Sequence, residues 1–140
     1  MINNYTIKKL IGSGSFGKIY LAHDNLNKCN VAIKKITIND FKKNTIDMII
    51  TEIKIGYFHN CDFIVKIQDF FLDLTTKTIF IIMKYYDQSD LNKYKKNKTL
   101  SKEEKKNLIF NILNGVQYLH INKVIHRDIK PQNLLINRNG

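Results

Sequence analysis

Val124-Ile125-His126-Arg127-Asp128-Ile129-Lys130-Pro131-Gln132-Asn133-Leu134-Leu135-Ile136 is the stretch on which the fold turns. It reads as a loop, Ile125 to Asn133, running into a short strand, Leu134 to Ile136. Taken alone, His126-Arg127-Asp128 is a charged turn. The segment before it is regular. Ser101-Lys102-Glu103-Glu104 matches a capping box, in which the serine accepts from the N3 amide and Glu104 reaches back. The helix opened there carries Leu108, Ile109, Ile112, Leu113, Val116 and Leu119 as an apolar stripe. After the loop come Asn137-Arg138-Asn139-Gly140. Asn-Gly behind a strand is a hairpin signal that calls for a return strand, so the sequence reads as cut in the middle of a domain.

Toward the N-terminus, Asp87 to Thr99 is a polar, lysine-rich connector with room for a short helix. Val65 to Leu72 and Thr78 to Lys84 read as strands joined by a threonine-rich turn. Residues 45–58 change period: Ile46, Ile49, Ile50 and Ile53 follow i, i+3, i+4, i+7 and predict one helix face. Before them, Thr6 to Ile11, Lys18 to Ala22 and Asn30 to Ile36 alternate as strands. The expected fold is α+β. Five antiparallel strands carry one main helix, residues 45–58, and a second, helical region begins after them.

Ile11-Gly12-Ser13-Gly14-Ser15-Phe16-Gly17-Lys18-Ile19 contains G-x-G-x-x-G. Glycines let the backbone approach phosphates and offer its amides. A dinucleotide fingerprint requires a helix directly after the loop, but Lys18 to Ala22 alternates like a strand. A Walker A loop fits Gly12, Gly17 and Lys18, yet Ile19 has no hydroxyl for Mg²⁺ and no helix follows. A hairpin whose tip covers a nucleotide needs a strand on each side, and both are present. Val31-Ala32-Ile33-Lys34 lies in the third strand. A lysine there is costly unless paired or snorkelling to solvent, and Glu52 on the following helix is the candidate partner.

With these segments in order, the chain resembles the eukaryotic protein kinase family, of serine/threonine type. His126-Arg127-Asp128-x-Lys130-Pro131-x-Asn133 is similar to its catalytic loop H-R-D-x-K-P-x-N. The glycine loop, Val31-Ala32-Ile33-Lys34, Glu52 and the Lys84-Tyr85-Tyr86 hinge agree with it. The resemblance implies an N-lobe at 1–83, a hinge at 84–90 and an incomplete C-lobe at 91–140 with the catalytic loop at 126–133. It implies that Asp128 accepts or orients the substrate hydroxyl proton and that Lys130 neutralises the γ-phosphate. A lysine two residues after this aspartate marks serine/threonine kinases in the family. Asn133 would hold one Mg²⁺.

For ATP, the resemblance implies Gly12, Ser13, Gly14, Ser15, Phe16, Gly17 and Lys18 at the phosphates. Lys34, held by Glu52, would contact the α- and β-phosphates. Ile11 and Ile19 would roof the adenine, with Ala32 beside it and Leu135 as its floor. Met83 falls at the gatekeeper position and Tyr86 in the hinge. Asp90 is a candidate for the ribose, or a helix cap. Two positions depart from the family: Lys84, where an acid is common, and Cys61-Asp62-Phe63-Ile64-Val65, where H-P-N-I-V is common. The Asp-Phe-Gly segment, the activation loop and the Ala-Pro-Glu motif do not occur, and no aspartate follows Asp128. The resemblance therefore implies a fragment of a kinase domain, inactive as it stands, with an exposed apolar patch on residues 108–119. A non-catalytic nucleotide-binding or interaction module is the alternative.

Composition agrees with a globular chain: 140 residues, 44% hydrophobic and 25% charged. The longest apolar run, Ile79 to Met83, is far short of a membrane span. No signal peptide or myristoylation glycine is seen. Cys29 and Cys61 have no metal spacing and read as reduced thiols, so the cytoplasm, with the nucleus open, is the expected location. The net charge is +11, but arginine occurs only at Arg127 and Arg138. Lysine without arginine speaks against a nucleic-acid reader. Expected partners are ATP and a protein carrying serine or threonine, and no membrane.

Overall fold

Branched residues at period two build the sheet. The computed structural model describes residues 4–14, 17–38, 43–58, 60–87 and 90–136. Its strands are β1 (Tyr5–Gly14), β2 (Gly17–Asp24), β3 (Cys29–Thr37), β4 (Ile67–Asp73) and β5 (Thr78–Lys84). They form one sheet in the order β1-β2-β3-β5-β4, with every neighbouring pair antiparallel. Helix α1 (Lys43–Phe58) lies between β3 and β4 in sequence, and α2 (Leu91–Asn97) and α3 (Lys102–Ile121) follow the sheet. The α+β fold with a five-stranded antiparallel sheet and one main helix is thus as expected. The chain divides into two compact units, Met1–Tyr85 and Tyr86–Gly140.

In the first unit, strand alternation sends side chains to two faces. Val31 and Ile33 point one way and pack with Ala22, Phe80 and Ile82, with Tyr5 and Phe71 half-buried against them. Ile36 and Ile81 point the other way and meet Ile67 and the α1 residues Ile49 and Ile53. The helix face differs from the expected one. Ile49 and Ile53 are buried, but Ile46 and Ile50 are 38% and 43% exposed. The buried residues of α1 are Ile49, Ile53, Ile55 and Gly56 instead, with Ile49, Ile53 and Gly56 at i, i+4, i+7. Gly56 sets this rotation. A Cβ there would come within 2.7 Å of Ile67 Cδ1 and 3.1 Å of the Val65 carbonyl oxygen, so α1 approaches the chain around β4 through a missing side chain.

In the second unit the devices are local. Asp90 caps α2, its side chain accepting from the Lys93 amide at 2.9 Å. The Ser101 capping box is formed: Glu104 N donates to Ser101 Oγ at 3.1 Å, and Ser101 N donates to Glu104 Oε2 at 2.8 Å. Of the α3 stripe, only Leu119 is fully buried; Ile109 and Leu113 are 58% and 61% exposed. The expected strand Leu134 to Ile136 is corrected to a single bridge, Leu135 with Asp90, beside a Leu91 N to Leu134 O bond of 2.7 Å. The ladder stops because Leu91 already belongs to α2 and has turned away from extended backbone. The Asn139-Gly140 turn lies outside the described residues. No helix among the described residues is long and apolar enough to cross a membrane.

Candidate active site

The glycine loop is a hairpin tip. Gly12 stands opposite Ile19, Ser13 opposite Lys18 and Gly14 opposite Gly17, and the element after the tip is β2. No helix starts there, which removes the dinucleotide and Walker A readings. Ser15 and Phe16 lie outside the described residues. The three glycines are not equivalent. Gly17 has φ +139°, and a Cβ on it would fall 2.2 Å from the Lys35 carbonyl oxygen. It is glycine because β3 passes that closely in a backbone region side chains avoid. A Cβ on Gly14 would have nothing within 4 Å among the described residues, unlike the Cβ positions of Gly12 and Gly17.

Behind the tip, strand register gathers several of the expected residues. Ile19 pairs with Lys34, and Ala32 pairs with Met83 on its other side. Alternation along β3 puts Ala32, Lys34 and Ile36 on the face that α1 covers. There the Lys34 ammonium meets Glu52, donating to Oε1 and to Oε2 at 2.7 Å each. The Lys34 side chain is 15% exposed and that of Glu52 41%. A half-exposed pair of this kind adds little to stability, about 0–1 kcal/mol, so its main effect is to aim the ammonium. Sequence reasoning missed Leu21, buried opposite Ala32 on this face, although it follows Ile19 at the strand period. Ile11 is half-buried on β1, and Lys18 is exposed on β2.

In the second unit, Tyr86 is half-buried at its start and Leu135 is 44% exposed. The catalytic-loop candidates form one constellation. Lys130 Nζ lies 2.7 Å from Asp128 Oδ2. Asn133 Nδ2 donates to both the Asp128 carbonyl oxygen and Oδ2, each at 2.9 Å. Pro131–Asn133 is a single 3-10 turn, in which the Asn133 N–H donates to the Lys130 carbonyl at 2.9 Å and brings Asn133 back over Asp128. Arg127 has φ +64°, a left-handed conformation uncommon outside glycine, which turns the chain just before Asp128. The hydrogen bond from Lys130 holds the Asp128 carboxyl below its ordinary pKa, with support from Asn133 and from the charges of Lys130 and His126. Asp128 is therefore an ionised, hydrogen-bonded acceptor at neutral pH. Asp90 is accounted for as the α2 cap.

Residues 5–140 match the protein kinase domain family. The chain belongs to that family. It is 35% identical to a probable serine/threonine-protein kinase of Dictyostelium discoideum over 99% of its own length and 30% of the relative's. It is 37% identical to a probable cyclin-dependent serine/threonine-protein kinase of the same organism, covering 97% of this chain and 10% of that one. With calcium-dependent protein kinase 6 of Plasmodium berghei (strain Anka) it shares 31% identity, over 99% of this chain and 9% of the relative. The chain spans less than a third of the length of these curated relatives.

Proposed function

We propose that the protein containing these residues is a kinase that transfers the γ-phosphate of ATP to serine or threonine hydroxyls of proteins. The observation that carries the reading is the Asp128–Lys130–Asn133 constellation, in which a carboxylate is kept ionised and fixed in place. Phosphoryl transfer is mainly positioning and charge neutralisation, and these side chains supply both. Asp128 would accept or orient the proton of the incoming hydroxyl. Lys130 would offset charge on the γ-phosphate. Lys34, held by Glu52, would contact the α- and β-phosphates, beneath the backbone of the glycine hairpin. In the first unit Ile11, Ile19 and Ala32 would contact the adenine, with Met83 and the Lys84-Tyr85 backbone next to it; in the second unit Tyr86 and Leu135 are the adenine candidates. The relatives' serine/threonine kinase names support this substrate class. The cytoplasm or nucleus is the proposed location.

The residues fit one side of a Mg²⁺ site. Asn133 uses its amide N–H groups on Asp128, which leaves its carbonyl oxygen as the acceptor a hard cation requires. When bound, Mg²⁺ neutralises charge on the ATP phosphates. A carboxylate normally anchors it, and no aspartate follows Asp128 in these residues. Residues 1–140 by themselves are therefore expected to bind ATP weakly and to transfer phosphate at no useful rate.

The test joins residues 1–140 to the remainder of a typical kinase domain and measures transfer from radiolabelled ATP to a basic protein substrate. The chimera should be active and its Asp128→Asn variant should lose most of the activity. A folded chimera that binds ATP and transfers nothing overturns the kinase reading in favour of a non-catalytic nucleotide-binding module. Robust transfer by residues 1–140 alone, lost in Asp128→Asn, overturns only the expectation of inactivity.

A further inference from the structure

Seven lysines fall between residues 91 and 106, against two carboxylates, Glu103 and Glu104. Local structure accounts for two of them. Lys93 pairs with Asp90 at 3.3 Å. Lys98 pairs with Glu104 at 2.6 Å and donates to the Tyr94 hydroxyl at 3.3 Å. The remaining five, Lys95, Lys96, Lys102, Lys105 and Lys106, are exposed, and among the described residues no carboxylate pairs with them. Helix physics does not call for all of these. Lys95 and Lys96 sit in the last turn of α2, where the macrodipole favours a cation. Lys102 and Lys105 stand in the first turn of α3, where it disfavours one. The Ser101 capping box and the Lys98–Glu104 pair fasten the joint between the two helices. The free ammonium groups are thus presented on an ordered surface rather than on a floppy tail.

We propose that this α2–α3 junction, residues 95–106, docks an acidic segment of a partner protein. The chemistry of the patch selects that occupant. It contains no arginine and so lacks the planar fork used on nucleic-acid phosphates and guanines. Its one aromatic ring, Tyr94, is half-buried with the Lys98 ammonium 5.6 Å from its centre, so no stacking platform for bases is present. Its own apolar residues, Leu91 and Leu100, are buried and half-buried, so residues 91–106 present no apolar side chain to a bilayer. Several unpaired lysines with a fixed backbone beneath them are what a run of Asp or Glu side chains requires. The proposal rests on charge placement and stands apart from phosphoryl transfer.

The test is fluorescence anisotropy of a labelled poly-glutamate peptide against the 140-residue chain at low ionic strength. One variant carries Lys→Gln at positions 95, 96, 102, 105 and 106. A control removes the same charge elsewhere, with Lys→Gln at the exposed positions 9, 28, 54, 77 and 123. The junction variant should bind about tenfold more weakly and the control within about threefold of the parent, since local complementarity outweighs screened, distant charge. Equal losses in the two variants would reduce the effect to net charge and overturn the proposal. Tighter binding of a single-stranded RNA of equal charge, or of phosphatidylserine vesicles, would also overturn it. Zero-length carbodiimide cross-linking of the peptide to the unmodified chain needs no variant. Adducts should concentrate on Lys95 to Lys106, and adducts spread evenly over the surface lysines would count against the site.

Discussion

The segment up to Tyr85 closes a core of its own, whereas the segment from Tyr86 buries few of its apolar side chains among the described residues and leaves more of them exposed than buried. Ile33, Ile36, Ile81 and Ile82 are fully enclosed in the first. In the second, Leu91, Leu119 and Ile136 are the buried apolar residues, while Ile109, Phe110, Leu113, Ile121 and Ile125 are each more than half exposed. A sheet can cover both faces with its own strand residues and one helix; a lone helix covers only one stripe. The difference teaches where each unit's order comes from. Long-range packing holds the first. Caps and short-range ion pairs hold the second. The candidate site residues follow the same division: Lys34 and Glu52 come from different elements, but Asp128, Lys130 and Asn133 lie within one turn of chain.

The most direct way to break this comparison is a pair of truncations. Ile33→Ala, at a fully enclosed site, should cost about 2–5 kcal/mol of unfolding free energy. Leu113→Ala, at a site 61% exposed, should stay within about 0.5 kcal/mol. Urea unfolding of the two variants decides it, and equal costs would mean that α3 is packed as well as the sheet. Next in size is Lys34→Ala. Removing a charge-assisted phosphate contact should weaken ATP binding by about 1.5–3 kcal/mol, and isothermal calorimetry should read it. Unchanged affinity would mean that the Lys34–Glu52 pair is structural only.

Within the glycine hairpin a finer contrast is available. Gly17→Ala forces a side chain into a left-handed backbone against the Lys35 carbonyl and should lower stability by roughly 1–3 kcal/mol. Gly14→Ala meets no described atom within 4 Å and should leave the melting temperature nearly unchanged. The smallest effect belongs to the α3 cap. The hydrogen bond from Lys98, with the Ser101 amide, pulls the Glu104 pKa from 4.5 to about 2. A carboxyl lowered in the folded state stabilises above its ordinary pKa and loses that contribution as pH falls through the lower value. Circular dichroism should therefore show α3 losing helicity between pH 4.5 and about 2, and Glu104→Gln should lack that step. Identical acid profiles would show that the box contributes nothing. Ser101→Ala, read at neutral pH, should cost about 1 kcal/mol.

What the amino-acid sequence determined by itself was everything carried by near neighbours. Alternation placed the five strands, because side chains two apart share a face whatever lies across from them. Ser101 and Glu104 are one turn apart, so their reciprocal bonds were legible before any fold was known. The spacing of Asp128, Lys130 and Asn133 likewise sufficed to bring them together through a single 3-10 turn. Tertiary structure decided what depends on distant partners. Period alone offered Ile46, Ile49, Ile50 and Ile53 as one face, but which of them is buried depends on how α1 is rotated, and Gly56 against Ile67 sets that rotation. Leu134 to Ile136 had the residues of a strand, yet a strand needs a neighbour to bond, and its partner Asp90 opens a helix. Lys34 and Glu52, eighteen positions apart, were a candidate pair in the sequence, and only the packing of α1 on β3 brought the ammonium to 2.7 Å from both carboxylate oxygens. Local geometry is written in the order of residues because few bonds separate the groups; a contact between elements exists only once the chain has folded back on itself.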